Sequence, residues 1–238
     1  RLILDVESSL FRFLIKNRWT QLMETKLLIS VDELAGRLSQ VSLIDTRSVH
    51  QFSAGHLPNA LSLDLFYLSL NDTRIESFTS FMWTIAALFS KRGVDFSKEI
   101  VFYDDISGMR SARGFWFCEY FGYTVRVLDG GVKSWINNGH PLTRETTEPP
   151  TFPAKNISPN SCSHWSADKI LQHLEDDDVL MLDTRSADEH YGRVARAQRA
   201  GSIPNSIHME WTQNLTPDGY FRSVSDLKKM YQSAKVTA

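Results

Sequence analysis

Apolar residues along this chain follow two rhythms. Val41 to Ile44, Ile100-Val101-Phe102-Tyr103 and Val125-Arg126-Val127-Leu128 are short, largely apolar runs bounded by polar residues, the pattern of strands buried on both faces of a parallel sheet. Phe78, Phe81, Met82, Ile85 and Leu88 instead recur at helical spacing across Phe78 to Phe89, with Gly93 as a stop. Ser111 to Phe121 predicts a helix that starts directly from the loop Asp104-Asp105-Ile106-Ser107-Gly108-Met109-Arg110. Val132 to Asn137 predicts a short last one between Asp129-Gly130-Gly131 and Gly139-His140-Pro141. Strands alternating with helices imply an α/β fold, a parallel sheet flanked by helices on both faces. Functional groups in such folds gather at the carboxyl ends of the strands, where backbone amides at a helix start attract anions. The Asp104 to Arg110 loop is such a place.

Part of this pattern occurs twice. Leu43-Ile44-Asp45-Thr46-Arg47-Ser48 returns as Leu180-Met181-Leu182-Asp183-Thr184-Arg185-Ser186. Upstream of each strand a Ser opens a predicted helix, Ser30 with Glu33 as a capping box and Ser166 with Asp168 behind it. Downstream of each comes a tight turn, His56-Leu57-Pro58-Asn59-Ala60 and Ser202-Ile203-Pro204-Asn205-Ser206. The offset is 138 residues for the Asp (45 to 183) and 146 for the Pro (58 to 204). Spacing of that size repeats a domain rather than a helix pair, and 238 residues suffice for two domains of ordinary size. The expected division is an extension over residues 1–26, a first domain over 27–145, a linker over 146–162 and a second domain over 163–238.

Composition narrows the chemistry. A net charge of −2 and a pI near 6.4 give no global electrostatic case for nucleic acid or an anionic membrane, so any anion must be held locally. Cys118 and Cys162 are the chain's two cysteines, too few for a disulfide framework, so a reducing compartment, the cytoplasm, is expected. No Cys and His spacing suggests a metal, and no cofactor is expected. Residues 1–26 are apolar but interrupted by Asp5, Glu7, Arg12 and Lys16. A membrane span needs roughly 20 nearly uncharged residues, and no signal-peptide cleavage pattern is present.

Taken in order, Asp45-Thr46-Arg47-Ser48, Phe52-Ser53-Ala54-Gly55-His56-Leu57-Pro58-Asn59-Ala60, Tyr103 followed by its loop, and Leu128-Asp129-Gly130-Gly131 with Trp135 resemble the rhodanese family from about residue 27 to 238. The tandem-domain sulfurtransferases, of the thiosulfate and 3-mercaptopyruvate type, match best. The family's turn usually has Gly where this chain has Asn59, and Asn also tolerates positive φ. In rhodaneses the loop after the Tyr-ended strand begins with a cysteine, whose thiolate holds a sulfur atom as a persulfide stabilised by loop amides and a helix dipole. Here that place holds Asp104 or Asp105, and a carboxylate cannot form a persulfide.

The resemblance therefore implies that the first domain is the non-catalytic half and that the second supplies the cysteine. The turn offset places that second loop near residue 250 (104 plus 146), past Ala238. The expectation is two rhodanese-like domains, the second incomplete and truncated before its catalytic loop, in a chain that is inactive as it stands. Its strand edges and apolar faces from about residue 163 would be uncovered. In the intact protein the implied partners are a small anionic sulfur donor and a thiophilic acceptor such as cyanide or a thiol. A catalytically inactive rhodanese-fold binding or regulatory module is the alternative. A phosphatase of this fold ranks third, since it too needs a cysteine ahead of an Arg in the loop.

Asp105, Ile106, Ser107, Gly108, Met109 and Arg110 are the candidate anion-binding loop. Arg110 either clamps an anion at the helix start or pairs with Asp104 or Asp105. Asp45 with Arg47, and Asp183 with Arg185, read as pairs tying strand ends to neighbouring loops, or as residues of a substrate cleft. Cys118, inside an aromatic-rich helix, reads as a packed core thiol, and Cys162 as an incidental thiol in a Pro-rich linker. His56 reads as a structural histidine. Glu189 falls where some tandem family members carry a substrate-binding Arg, and Arg193, Arg196 and Arg199 form a basic loop that either guides an anion or is merely solvated.

Overall fold

A computed structural model describes residues 3–4, 27–70, 72–146, 149–152 and 163–236. Along the chain these form β1 (Ile3–Leu4), β2 (Leu28–Ile29), α1 (Val31–Ala35), β3 (Val41–Asp45), α2 (Val49–Ala54), β4 (Leu61–Ser62), α3 (Ile75–Lys91), β5 (Glu99–Tyr103), α4 (Met109–Tyr120), β6 (Val125–Leu128) and α5 (Gly131–Asn137). After these come α6 (Ala167–Gln172), β7 (Leu180–Asp183), α7 (Ala187–His190), β8 (Ile207–His208), a 3-10 turn (Trp211–Asn214) and α8 (Val224–Ser233). The chain divides into two compact units. One is Lys26–Ser166 with Asp218–Tyr220; the other is Arg1–Thr25, Ala167–Pro217 and Phe221–Ala238.

In the first of these the strands run in the order β2-β6-β5-β3-β4, every pairing parallel. The predicted alternation thus gives an α/β fold with a parallel sheet. Because side chains alternate across a strand, β5 divides its residues between two cores. Ile100 and Phe102 face Phe78, Met82, Ile85, Phe89, Phe117 and Cys118 from α3 and α4. Val101 and Tyr103 face Ile29, Leu34, Leu43, Leu128 and Trp135 from the other layer. Phe89 is fully buried, and truncating such a residue to Ala costs about 3–5 kcal/mol.

The capping expected at Ser30 is half realised. Its side chain accepts from the Glu33 amide at 3.2 Å, but the Glu33 carboxylate is drawn to Arg37 and to Arg126. Complete capping boxes stand one element later, Ser48 with Gln51 on α2 and Ser186 with Glu189 on α7. Both belong to the repeated Asp-Thr-Arg-Ser motif, whose last residue is therefore a helix N-cap.

The other unit has the strand order β1-β7-β8. β7 and β8 are parallel, with Leu182 opposite Ile207 and Asp183 opposite His208. That repeats the register of Ile44 opposite Leu61 and Asp45 opposite Ser62. The free β7 edge expected from the sequence is covered, because β1 pairs with it antiparallel.

Candidate functional site

β3 and β5 end side by side, with Asp45 opposite Tyr103, and their carboxyl ends carry the predicted polar residues. The Asp45 carboxylate is completely buried. It accepts from Arg47 Nε at 3.0 Å and Nη2 at 2.6 Å and from the Tyr103 hydroxyl at 2.7 Å. Arg47 Nη2 donates onward to the Gly55 carbonyl at 2.8 Å, and the Leu57 amide donates to the Tyr103 hydroxyl at 3.1 Å. One network thus ties both strand ends to the turn that begins at His56. Its charges are paired and its donors used, as buried polar groups require. Burial, aided by the Asp45 charge, holds the Tyr103 hydroxyl far above its ordinary pKa, so it serves as a donor.

The turn itself needs positive φ at Asn59 (65°) and at its counterpart Asn205 (61°), a conformation Asn tolerates. His56 is buried and stacks on Phe52 at 3.7 Å. Its ring nitrogens lie 2.9 Å from the Phe52 carbonyl oxygen and 3.2 Å from that of Glu145.

The loop after β5 folds around one of its own side chains. Asp104 is 3% exposed. Its Oδ1 accepts from the amides of Ile106 (3.2 Å) and Gly108 (3.0 Å), and its Oδ2 from those of Arg110 (3.2 Å) and Ser111 (3.1 Å). These amides, at the start of α4, form the concave arrangement that receives anions elsewhere. The Ser107 amide donates to the Gly219 carbonyl at 3.0 Å. Burial raises the Asp104 pKa, and the amide hydrogen bonds oppose that shift only in part.

The Asp129-Gly130-Gly131 turn closes the loop from beneath. Gly131 has φ 57°, and a Cβ there would lie 2.5 Å from the Asp104 carbonyl oxygen; only glycine permits that approach. The Val132 and Lys133 amides donate to the carbonyls of Asp104 and Asp105 at 2.9 and 3.1 Å.

The Arg110 side chain pairs with neither loop aspartate, although its backbone amide donates to Asp104. Its guanidinium meets Asp64 at 2.8 Å and lies over the Phe66 ring, 4.5 Å from the centroid. The sequence left Arg110 open between an anion clamp and a pair with a loop aspartate; the helix start points it at the loop after β4 instead. Asp105 accepts from Gln51 at 3.0 Å, and Met109 is exposed.

At the end of β7 the same tie recurs in a more open setting. Arg185 binds Asp183 through Nε at 2.9 Å and Nη2 at 2.6 Å, and Nη2 donates to the Gly201 carbonyl at 2.9 Å. His190 Nδ1 lies 3.1 Å from Asp183 Oδ2 and its ring stacks on His208. Hydrogen bonding from Arg185 holds the Asp183 carboxyl well below the usual range. Glu189 closes the Ser186 capping box and meets Arg196 at 3.4 Å, and Arg193 meets Asp188 at 2.7 Å.

Cys118 is buried, and burial pushes its thiol pKa well up, away from the thiolate that sulfur chemistry needs. Cys162 lies outside the described residues. Among the described residues no group of His, Cys, Asp and Glu is arranged to hold a metal, and no helix is long and apolar enough to cross a membrane.

Residues 30–138, which hold the parallel sheet, the Tyr-Asp-Arg network at its strand ends and the amide-lined loop, match the family described as Rhodanese-like domain. Over these residues the chain is similar to the rhodanese family, as its motifs implied. Its relatives include the sulfur carrier protein TtuD of Thermus thermophilus, 28% identical over 78% of this chain and 69% of that protein. The thiosulfate sulfurtransferase of Azotobacter vinelandii is 27% identical over 89% of this chain and 79% of that one. Among solved structures, the 3-mercaptopyruvate sulfurtransferase SseA of Escherichia coli shares the fold at a TM-score of 0.75 and 22% identity, over 90% of this chain and 85% of that one.

Proposed function

We propose that the chain belongs to a rhodanese-type sulfurtransferase, in which residues 27–145 are the non-catalytic half and residues 163–238 belong to a second rhodanese-like domain reached through a linker at 146–162. The reaction moves a sulfane sulfur from a small anionic donor, thiosulfate or 3-mercaptopyruvate, through a cysteine persulfide to a thiophilic acceptor such as cyanide or a thiol, in the cytoplasm. With thiosulfate, a cysteine thiolate attacks the outer sulfur, the S–S bond breaks, and sulfite leaves with the electron pair. Neither Cys118 nor any residue of the Asp104–Arg110 loop performs that attack.

The single observation that carries this assignment is the carboxylate inside the loop. Four amides that would stabilise a persulfide converge on Asp104, so the loop already holds its anion. Arg110, Ser107 and Gly108 then shape the loop rather than bind donor, while Arg47 and Arg185 position strand ends. The thiosulfate sulfurtransferase names among the relatives support the activity, and the repeated Asp-Thr-Arg-Ser ties support the two-domain division.

The same filled loop also favours a second reading, a catalytically inactive rhodanese-fold binding or regulatory module. The test is to incubate the purified chain with thiosulfate, record its intact mass, and treat it with cyanide. No added sulfur atom is expected. A cyanide-labile adduct mapped to Cys118 or Cys162 would overturn the exclusion of a nucleophile from these residues.

A further inference from the structure

The Asp104–Arg110 loop is occupied from two sides. From within, the Asp104 carboxylate takes the amides of Ile106, Gly108, Arg110 and Ser111. The Ser107 amide turns the other way and donates to the Gly219 carbonyl at 3.0 Å. Gly219 lies far along the chain, yet Asp218–Tyr220 forms one compact unit with the loop. Ser107 and Gly219 are both buried.

The fit is specific to this turn. Gly219 has φ 88°, and a Cβ on it would lie 2.5 Å from Ile106 Cγ2, so conformation and space both demand glycine. The Tyr220 ring packs where Gly130 leaves room, since a Cβ on Gly130 would lie 2.7 Å from Tyr220 Cε1. At the rim Lys133 and Asp218 approach to 3.9 Å, an exposed pair that adds little.

Each side is shaped by its own contacts. Asp104 and the Val132 and Lys133 amides hold the loop. Pro217-Asp218-Gly219 is a turn-forming sequence, and its flanks are tied together. Leu215 and Phe221 form an antiparallel bridge, the Arg222 amide donates to the Asn214 carbonyl at 2.9 Å, and Arg222 Nε donates to the Gln213 carbonyl at 2.8 Å. Preorganisation of both sides lowers the entropic cost of joining segments remote in sequence.

We propose that the Asp104–Arg110 loop, with the Asp129-Gly130-Gly131 turn beneath it, is a socket for a peptide turn, and that its occupant is the chain's own Asp218-Gly219-Tyr220. With its inner amides engaged by Asp104, the loop presents the Ser107 amide and a glycine-lined rest, which suit a backbone carbonyl and an aromatic ring. The loop thus recognises a shaped segment of polypeptide. This rests on the seating of the turn, so it stands or falls apart from the sulfur chemistry.

Hydrogen exchange of single amides in the full chain, read by NMR, tests it. Gly219→Val sets a branched side chain against Ile106 at a φ that such a residue rarely adopts. The expected result is exchange at Ser107 faster by about tenfold or more. Gly108 and Ser111 stay protected because Asp104 still accepts from them, and Val101 in β5 serves as an unchanged control. Unchanged exchange at Ser107 would overturn the socket, and equal acceleration at Gly108 and Ser111 would overturn its being formed without the turn. Should the variant fail to fold, Lys133→Cys and Asp218→Cys are combined in the otherwise unaltered chain and treated with a short bis-maleimide. A bridge between positions 133 and 218, mapped by peptide mass, supports the proposal, and its absence refutes it.

Discussion

The two Asp-Thr-Arg-Ser motifs make the same contacts in different environments. In both, the Arg holds the Asp through Nη2 at 2.6 Å, and that same nitrogen reaches a glycine carbonyl, of Gly55 or Gly201. Both end in a complete capping box. Yet the side chains of Arg47 and Asp45 are 6% and 0% exposed, whereas those of Arg185 and Asp183 are 44% and 9% exposed. The difference traces to one strand. β5 brings Tyr103 over Asp45, while β7 has β1 on that edge and Asp183 meets a local group, His190, instead. Four residues dictate the tie, and a strand more than fifty residues away decides what it is worth.

Asp45→Ala breaks this comparison most forcefully. It strands Arg47 and the Tyr103 hydroxyl in the interior, and removing one partner of a buried ion pair costs about 3–5 kcal/mol. Asp183→Ala frees an Arg that solvent already reaches, where about 1 kcal/mol or less is at stake. Urea unfolding of both variants measures the gap; equal losses would show that burial is not what separates the two ties. Tyr103→Phe sharpens the point, because it leaves the charges paired and deletes only the β5 contribution. The Leu57 amide then loses its acceptor, and an expected loss of about 1–3 kcal/mol is read from the same unfolding curves.

Much of this was legible in the residues. The runs at Val41, Ile100 and Val125 are β3, β5 and β6, and the helical spacing from Phe78 to Phe89 lies inside α3, because buried strands and amphipathic helices must show their periods. Arg126 was not legible: a charged residue in an apolar strand, it is buried yet ion-paired with Glu33 and Glu99, partners distant in sequence. The loop partner of Arg110 escaped for the same reason, since Asp64 lies 46 residues away. The filling of the loop was half legible. An Asp in place of a cysteine was visible, but four amides closing on its carboxylate depend on how α4 starts. The role of Ile3–Leu4 beside β7 had no signal at all in a segment read as an extension.

Two carboxylates turn the comparison into opposite pH dependences. Burial raises the Asp104 pKa, so the folded state binds that proton more tightly than the unfolded chain does. The stability this contributes is complete below the unfolded value of about 4 and is lost as pH rises through the folded value. Asp183 is held low by Arg185, so its contribution is present above about 4 and lost as pH falls through its folded value. Unfolding free energies across the acid range should therefore show Asp104→Asn gaining on the parent as pH rises from 4, and Asp183→Asn losing less than the parent as pH falls below it. Parallel curves for either variant would refute the assignment for that residue.

The smallest expected difference is the most discriminating control. Ser48 and Ser186 cap α2 and α7 with side chains that accept from Gln51 and Glu189 amides, both at 3.3 Å, and each box is closed within four residues. Among the described residues the Ser48 box is touched from outside through Gln51, whose Nε2 donates to Asp105, and the Ser186 box through Glu189, which meets Arg196. Ser48→Ala and Ser186→Ala should each cost about 1 kcal/mol, the usual loss for such a cap, and should agree within a few tenths by urea unfolding. If the Ser186 variant instead loses nothing, α7 is too weakly held for its cap to matter. The contrast between the two ties would then reflect a loosely formed second unit rather than the missing reach of one strand.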